Sequence, residues 1–326
     1  MTDLSQAKQH LVAWNGIALR APEDWNIGAI GGDLKQGYLR IDDSEMARIE
    51  IKWAQAGSQA VDVSSIVDKY LRDMQKGKKG KDTVVQRDVT LSTRRKSRHK
   101  RGLECFAWQA ETQGFGAAWY CPGCEKTVIV QVMGSLEEPL RKLAEPIILD
   151  MDDHPRDEFL TWSTYGFTCQ TPERFKLTGQ KLMAGLIELS LDADGEKLHL
   201  ARWGMANVAL KNKTLKEWGQ KELAKRVNKY TTEITEETFR GDECVTIEGR
   251  TNLPQEKLMS FVQHCLGKPF PDRVKAYLWH CGESNKIMYL EGILDRENLG
   301  LLDEVRDRMP CHGDAATAAA TDREAD

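Results

Sequence analysis

Residues 119–134 read WYCPGCEKTVIVQVMG, and residues 279–292 read WHCGESNKIMYLEG. Each stretch places a Trp two residues before a Cys, follows with a short turn that closes on a Lys, and continues as an apolar run ending at a Gly. A tight polar turn between two apolar runs is the pattern of a β-hairpin, so the chain carries the same hairpin twice. The other elements are assigned from that pairing, because a missed repeat misassigns everything around it.

Further landmarks recur in the same order. Gly16 to Pro22 with Trp25 answers Gly166 to Pro172 with Phe175, and Trp53 answers Trp203. Gly102-Leu103-Glu104-Cys105 answers Gly241-Asp242-Glu243-Cys244 just before the paired hairpins. Between these points each copy offers a hairpin around an acidic turn, Asp42 to Glu45 or Asp192 to Gly195, and then a segment of helical period. In the first copy Ile66, Val67, Tyr70, Leu71 and Met74 form one stripe, capped by Ser64 or Ser65. In the second the helix opens at Thr214 and runs through Leu215, Trp218, Leu223 and Val227. A closing helix follows each hairpin, through Leu136, Leu140, Leu143 and Ile147 in one copy and Leu299, Leu302 and Val305 in the other.

The expected fold class is therefore α+β: two tandem α/β domains, each an antiparallel sheet flanked by helices, produced by internal duplication. The expected boundaries are an N-terminal extension over 1–12, a first domain over 13–150 and a linker over 151–161. A second domain covers 162–312 with an insertion at 252–274, and a polar tail over 313–326 reads as disordered.

Composition fits this picture. The chain has 326 residues, enough for two domains with their own cores. With 29% charged and 40% hydrophobic residues it is globular in character, and a net charge of -4 points to no particular partner. No run approaches the length of a signal peptide core or of the roughly 20 apolar residues of a membrane span, so the expected compartment is the cytoplasm, with no membrane span. Eight cysteines in a reducing compartment are read as thiols without a disulfide framework.

Gly166, Phe167 and Pro172 in a G-F-x-x-x-x-P opening, with Phe175 after it and this order of strands and helices, make each half resemble the PsbP-like superfamily. That fold is shared by the photosystem II extrinsic subunit P, a Ran-GTPase nucleotide-release factor and small bacterial proteins that include secretion adaptors. The resemblance covers roughly Trp14 to Asp150 and Trp162 to His312. It implies a non-enzymatic module that binds a protein partner, or an adaptor.

Two stretches carry potential chemistry. Cys121-Pro122-Gly123-Cys124 is a C-x-x-C in a tight turn, as in a zinc knuckle, where two thiolates converge on one ion. A structural zinc takes about four ligands, and His280 with Cys281 are the candidates for the other two if the hairpin tips meet. Cys124 falls opposite Ser284 in the repeat, which assigns such a site to one copy or to an interface. A redox dithiol is the other reading of the motif, although it leads into a strand and not a helix N-terminus.

The second stretch is the basic run with Arg94, Arg95, Lys96, Arg98, Lys100 and Arg101. It is a candidate surface for an acidic protein, an anionic ligand or nucleic acid, with a solvated hairpin tip as the plain alternative. No aromatic residue interleaves it to stack bases. The remaining groups read as structural: Cys105, Cys169 and Cys244 as core, Cys311-His312 as isolated, and Asp152-Asp153 as solvated linker carboxylates. There is no G-x-S-x-G, no H-E-x-x-H and no phosphate-cradling glycine loop in the required context. Three functions follow: a non-enzymatic protein-binding module with no cofactor, a zinc- or thiol-dependent protein built on Cys121 and Cys124, and an anion or nucleic-acid binder using the basic loop.

Overall fold

The computed structural model describes residues 8–57, 61–76, 82–91, 100–253, 259 and 270–312. The chain divides into two compact units, Met1–Tyr165 and Gly166–Asp326. In unit 1 the strands are β1 (Gln9–Trp14), β2 (Ile17–Pro22), β3 (Asn26–Gly32), β4 (Gln36–Asp42), β5 (Ala47–Gln55), β6 (Val84–Val89), β7 (Arg101–Gln109), β8 (Gln113–Cys121), β9 (Lys126–Gly134) and β10 (Phe159–Thr164). Its helices are α1 (Val63–Met74) and α2 (Leu140–Asp150). In unit 2 the strands are β11 (Phe167–Pro172), β12 (Lys176–Met183), β13 (Leu186–Ala193), β14 (Glu196–Gly204), β15 (Tyr230–Phe239), β16 (Asp242–Thr251), β17 (Arg273–Cys281) and β18 (Lys286–Leu294). Its helices are α3 (Ala206–Leu210), α4 (Leu215–Glu222), α5 (Ala224–Val227) and α6 (Leu301–Asp307).

The duplication is explicit in the topology. The large sheet of unit 1 has the order β3-β4-β5-β9-β8-β7-β6, and that of unit 2 has β12-β13-β14-β18-β17-β16-β15. Strand for strand these are one arrangement. The paired hairpins sit at matching registers, with Trp119 opposite Val128 and Cys121 opposite Lys126 in unit 1, and Trp279 opposite Met288 and Cys281 opposite Lys286 in unit 2.

The fold class expected from periodicity is corrected by this architecture. The described chain is mostly β, in three antiparallel sheets of four, seven and seven strands, and not a pair of helix-flanked α/β domains. The overlooked strands explain the error. β3 (NIGAIGG) and β12 (KLTGQKLM) lie at the edges of their sheets, and their residues are largely exposed or half-buried. Edge strands need no continuous apolar face, so they leave no period-2 signal. β1 and β10 begin in the stretches set aside as an extension and a linker and run on into the expected domains. The closing helices also begin later than their apolar stripes suggested. α2 begins only at Leu140, leaving Leu136 exposed ahead of it.

Most local signals act as chemistry requires. Asp62, one turn ahead of the expected Ser caps, accepts from the Ser65 N–H to cap α1. Thr214 and Glu217 form a full capping box at α4. The acidic turn of unit 2 closes through Asp194 and Gly195, both at positive φ.

Strand alternation then decides which hairpin side chains face which helix. Phe106 and Ala118 join Val63, Val67 and Leu71 of α1 in one cluster. Trp119 and Cys121 point the opposite way, toward the chain that leaves α2. Both are fully buried there.

A candidate metal centre at the first hairpin

Cys121 closes β8, and the next four residues make the turn back to β9. Glu125 ends that turn at φ 55°, and its counterpart Asn285 has φ 51°. Residues outside Gly accept this left-handed conformation at some cost, and it lets a four-residue loop curl so that the Cys124 N–H is directed at the Cys121 sulfur. Cys124 is thereby brought over Cys121 from the tip.

The other half of the site comes from the chain after α2. Met151 is buried, Asp152 forms a two-bond bridge with Ala18 of β2, and Asp153 and His154 are then presented to the hairpin. Asp153, expected to be a solvated linker carboxylate, is 2% exposed. Its Oδ2 accepts the Trp119 indole N–H at 2.6 Å, and its Oδ1 lies 2.5 Å from His154 Nδ1. The same Nδ1 is 3.4 Å from Cys121 Sγ, and Cys124 Sγ lies 3.8 Å from the Asp153 carbonyl oxygen. One donor atom from each of Cys121, Cys124, Asp153 and His154 lies within 4.8 Å of all the others.

Electrostatics bind these groups to one another. The Cys124 thiol hydrogen-bonds the Cys121 sulfur, which outweighs burial; with help from His154 it pulls Cys121 down to about 5. The two sulfurs in effect share one proton, held by Cys124, whose own ionisation is pushed up by Cys121 and by burial. His154 is pushed up to about 10 by Asp153 first and Cys121 second. For Asp153 burial opposes ionisation, but hydrogen bonds from His154 and Trp119 hold it below the usual carboxylate range. The site is therefore a preorganised, electron-rich set of soft and hard donors.

This geometry separates two kinds of chemistry. A Cys-His-Asp relay needs the nucleophile and the carboxylate on opposite ring nitrogens, whereas here both approach Nδ1. A tetrahedral zinc with sulfur at about 2.3 Å and nitrogen at about 2.0 Å spaces its ligand atoms by about 3.4 to 3.8 Å. The Cys121–His154 separation of 3.4 Å falls in that range, while the Asp153–His154 separation of 2.5 Å is shorter and is that of a hydrogen bond. The donor types suit a zinc-class ion, and the arrangement does not fit a relay.

The other residues singled out in the sequence are placed as follows. Cys281 closes β17 in unit 2 and groups there with Asp242, Cys311 and His312. His280 precedes it on the strand, facing the other way, and belongs to neither donor group among the described residues. Arg94, Arg95, Lys96 and Arg98 lie outside the described residues. Arg101 is exposed on β7. Lys100 turns inward and is 8% exposed. Its Nζ donates to the carbonyls of Ile148 and, at 2.9 Å, Leu149, and sits 4.9 Å from the Trp119 ring centre. Burial pushes its pKa down to about 8 against the pull of Asp153, Asp152 and Asp150. It is a cation on the open carbonyls of the α2 C-terminus, set beside the site and not on a contact surface.

Asp153 and His154 were missed because DMDDHPRDEF reads as a solvated charged linker. One signal was available. His154 follows its hairpin Cys by 33 residues, and His312 follows the corresponding Cys by 31. No protein-family model and no curated protein matches the sequence.

Proposed function

We propose that the chain is a zinc-holding binding protein without catalytic activity, in which the ion clamps the β8–β9 hairpin to the segment that leaves α2. The observation that carries this reading is the convergence of Cys121, Cys124, His154 and Asp153 within 4.8 Å. Cys121, Cys124 and His154 Nδ1 are the ligands, and Asp153 is the fourth donor. An ion replaces the proton that the two sulfurs share and the proton on Nδ1, which is how thiol and imidazole sites release protons on loading. Trp119, holding Asp153 from behind, fixes its orientation.

The role is structural because the ion would sit where a tip and a tail of the same unit must be held together. Among the described residues, no helix is long and apolar enough to cross a membrane. The protein-binding half of the reading draws on the PsbP-like resemblance, an analogy of fold alone. The basic run over 94–101 supports it less than the sequence suggested, since Lys100 is internal.

The test is metal analysis of the chain purified without chelators, beside Cys124→Ser. This reading expects zinc in the wild type and one equivalent fewer in the variant. Zinc content unchanged by Cys124→Ser, or wild-type protein in which Cys121 and Cys124 are joined as a disulfide, would overturn it. The disulfide result would favour the thiol-redox alternative.

A further inference from the structure

Unit 2 lacks the second cysteine of the tip, since Ser284 stands where unit 1 has Cys124. A second thiol nevertheless reaches the same place. After α6 the chain presents Cys311 and His312 to the hairpin, at the position where α2 is followed by Asp153 and His154. Cys281 and Cys311 are buried, at 0% and 6% exposure. His312 Nδ1 lies 3.0 Å from Cys281 Sγ and 3.3 Å from Cys311 Sγ. A carboxylate is supplied from a new source: Asp242, at the start of β16, accepts the Gly282 N–H at 3.2 Å and has an oxygen within 4.8 Å of the other donors.

We propose that unit 2 holds a second zinc-class site, formed by Cys281, Cys311 and His312 Nδ1 and completed by Asp242. The two units thus present the same donors, two thiols, one imidazole and one carboxylate, with the second thiol and the carboxylate exchanged between elements.

The ring geometry supports this assignment. One imidazole nitrogen carries at most one proton, so it makes a full in-line hydrogen bond to only one of two sulfurs at 3.0 and 3.3 Å. A single cation at their common centre satisfies all three, and both distances approach the ligand spacing of about 3.5 Å expected around zinc. The ring's other nitrogen, Nε2, is 3.4 Å from Glu283 Oε2. A carboxylate on the far nitrogen is the usual outer support of a metal-bound histidine. The Ser284 N–H is directed at the Cys281 sulfur, as the Cys124 N–H is at Cys121. The Trp279 indole N–H has no nitrogen or oxygen partner among the described residues and lies toward Cys311, where Trp119 reaches Asp153 in unit 1. None of this depends on the first site.

The experiment is Co²⁺ titration of the full-length apo chain, reading the thiolate-to-cobalt charge-transfer band and its saturating stoichiometry. Wild type is expected to saturate at two equivalents, Cys124→Ser and Cys311→Ser each at one, and the double variant at none. His312→Gln changes a half-exposed ring at the edge of the fold, so it tests the ligand without endangering the core. It is expected to weaken the second equivalent at least tenfold. If Cys311→Ser and His312→Gln both bind as wild type does, the second site is wrong. If Cys124→Ser alone is silent while Cys311→Ser loses an equivalent, the first site fails and the second stands. A Cys281–Cys311 disulfide in non-reduced peptide maps also overturns the proposal.

Discussion

At the scale of single residues, Trp119 and Trp279 occupy the same place in the repeat but bear different loads. Trp119 Nε1 donates to Asp153 at 2.6 Å, while Trp279 Nε1 has no nitrogen or oxygen partner among the described residues. Trp119→Phe leaves a buried carboxylate short of one donor, which costs about 1–3 kcal/mol and is expected to weaken zinc binding about 10- to 100-fold. Trp279→Phe should change both much less. Competition against a calibrated chelator compares the two; equal losses would mean that neither indole acts through the site.

A second residue provides a pH test away from the two donor clusters. Burial, aided by Arg226, pulls His199 down to about 3, although Glu188 lies 3.9 Å away and Ser190 Oγ is 3.1 Å from its Nδ1. Burial wins over that carboxylate because the pair is too long for a hydrogen bond. Since the folded state holds this ring neutral and the unfolded chain protonates it near 6.5, its contribution is fully present above about pH 6.5. It is lost as the pH falls toward 3. His199→Gln should flatten the decline of stability between pH 6 and 4, by up to about 1.4 kcal/mol per pH unit. Denaturant melts at the two pH values check this; parallel slopes in wild type and variant would refute it.

At the scale of elements, α2 depends on a residue that the sequence assigns to a surface loop. Lys100 Nζ donates to the Ile148 and Leu149 carbonyls, groups left open at the end of a helix. Lys100→Met is expected to destabilise unit 1 by about 1–3 kcal/mol, whereas Arg101→Ala, on the exposed side of β7, should stay within about 0.5 kcal/mol. Chemical denaturation resolves the difference, and a neutral Lys100→Met would remove the cap from the account.

The same element shows what a sequence can disclose. The paired hairpins were legible because Trp, Cys, Lys and Gly recur at fixed spacing. The opening of α4 at Thr214 was legible because its capping signal is local. The edge strands β3 and β12 were not, because their burial patterns alternate weakly. Asp153 and His154 were hidden for a different reason. Their burial comes from the Ala18–Asp152 bridge, a contact between segments far apart in sequence, and composition carries no trace of it.

At the scale of the molecule, duplication followed by exchange of ligands is the central idea. Position by position, the repeat sets Cys124 against Ser284 and assigns a metal site to one copy or to an interface. In the fold Asp153 of unit 1 answers Cys311 of unit 2, so the thiol absent from the second tip has a counterpart after the closing helix. Both units then hold a hairpin tip to the segment following their last helix. The measurement that bears most directly on this claim is the native mass of the intact chain, purified under reducing conditions without chelators. The account predicts the protein mass plus two zinc ions, falling to the mass of the apo chain after acid denaturation. A chain carrying no metal, or one that refuses a second zinc when the ion is in excess, would contradict it.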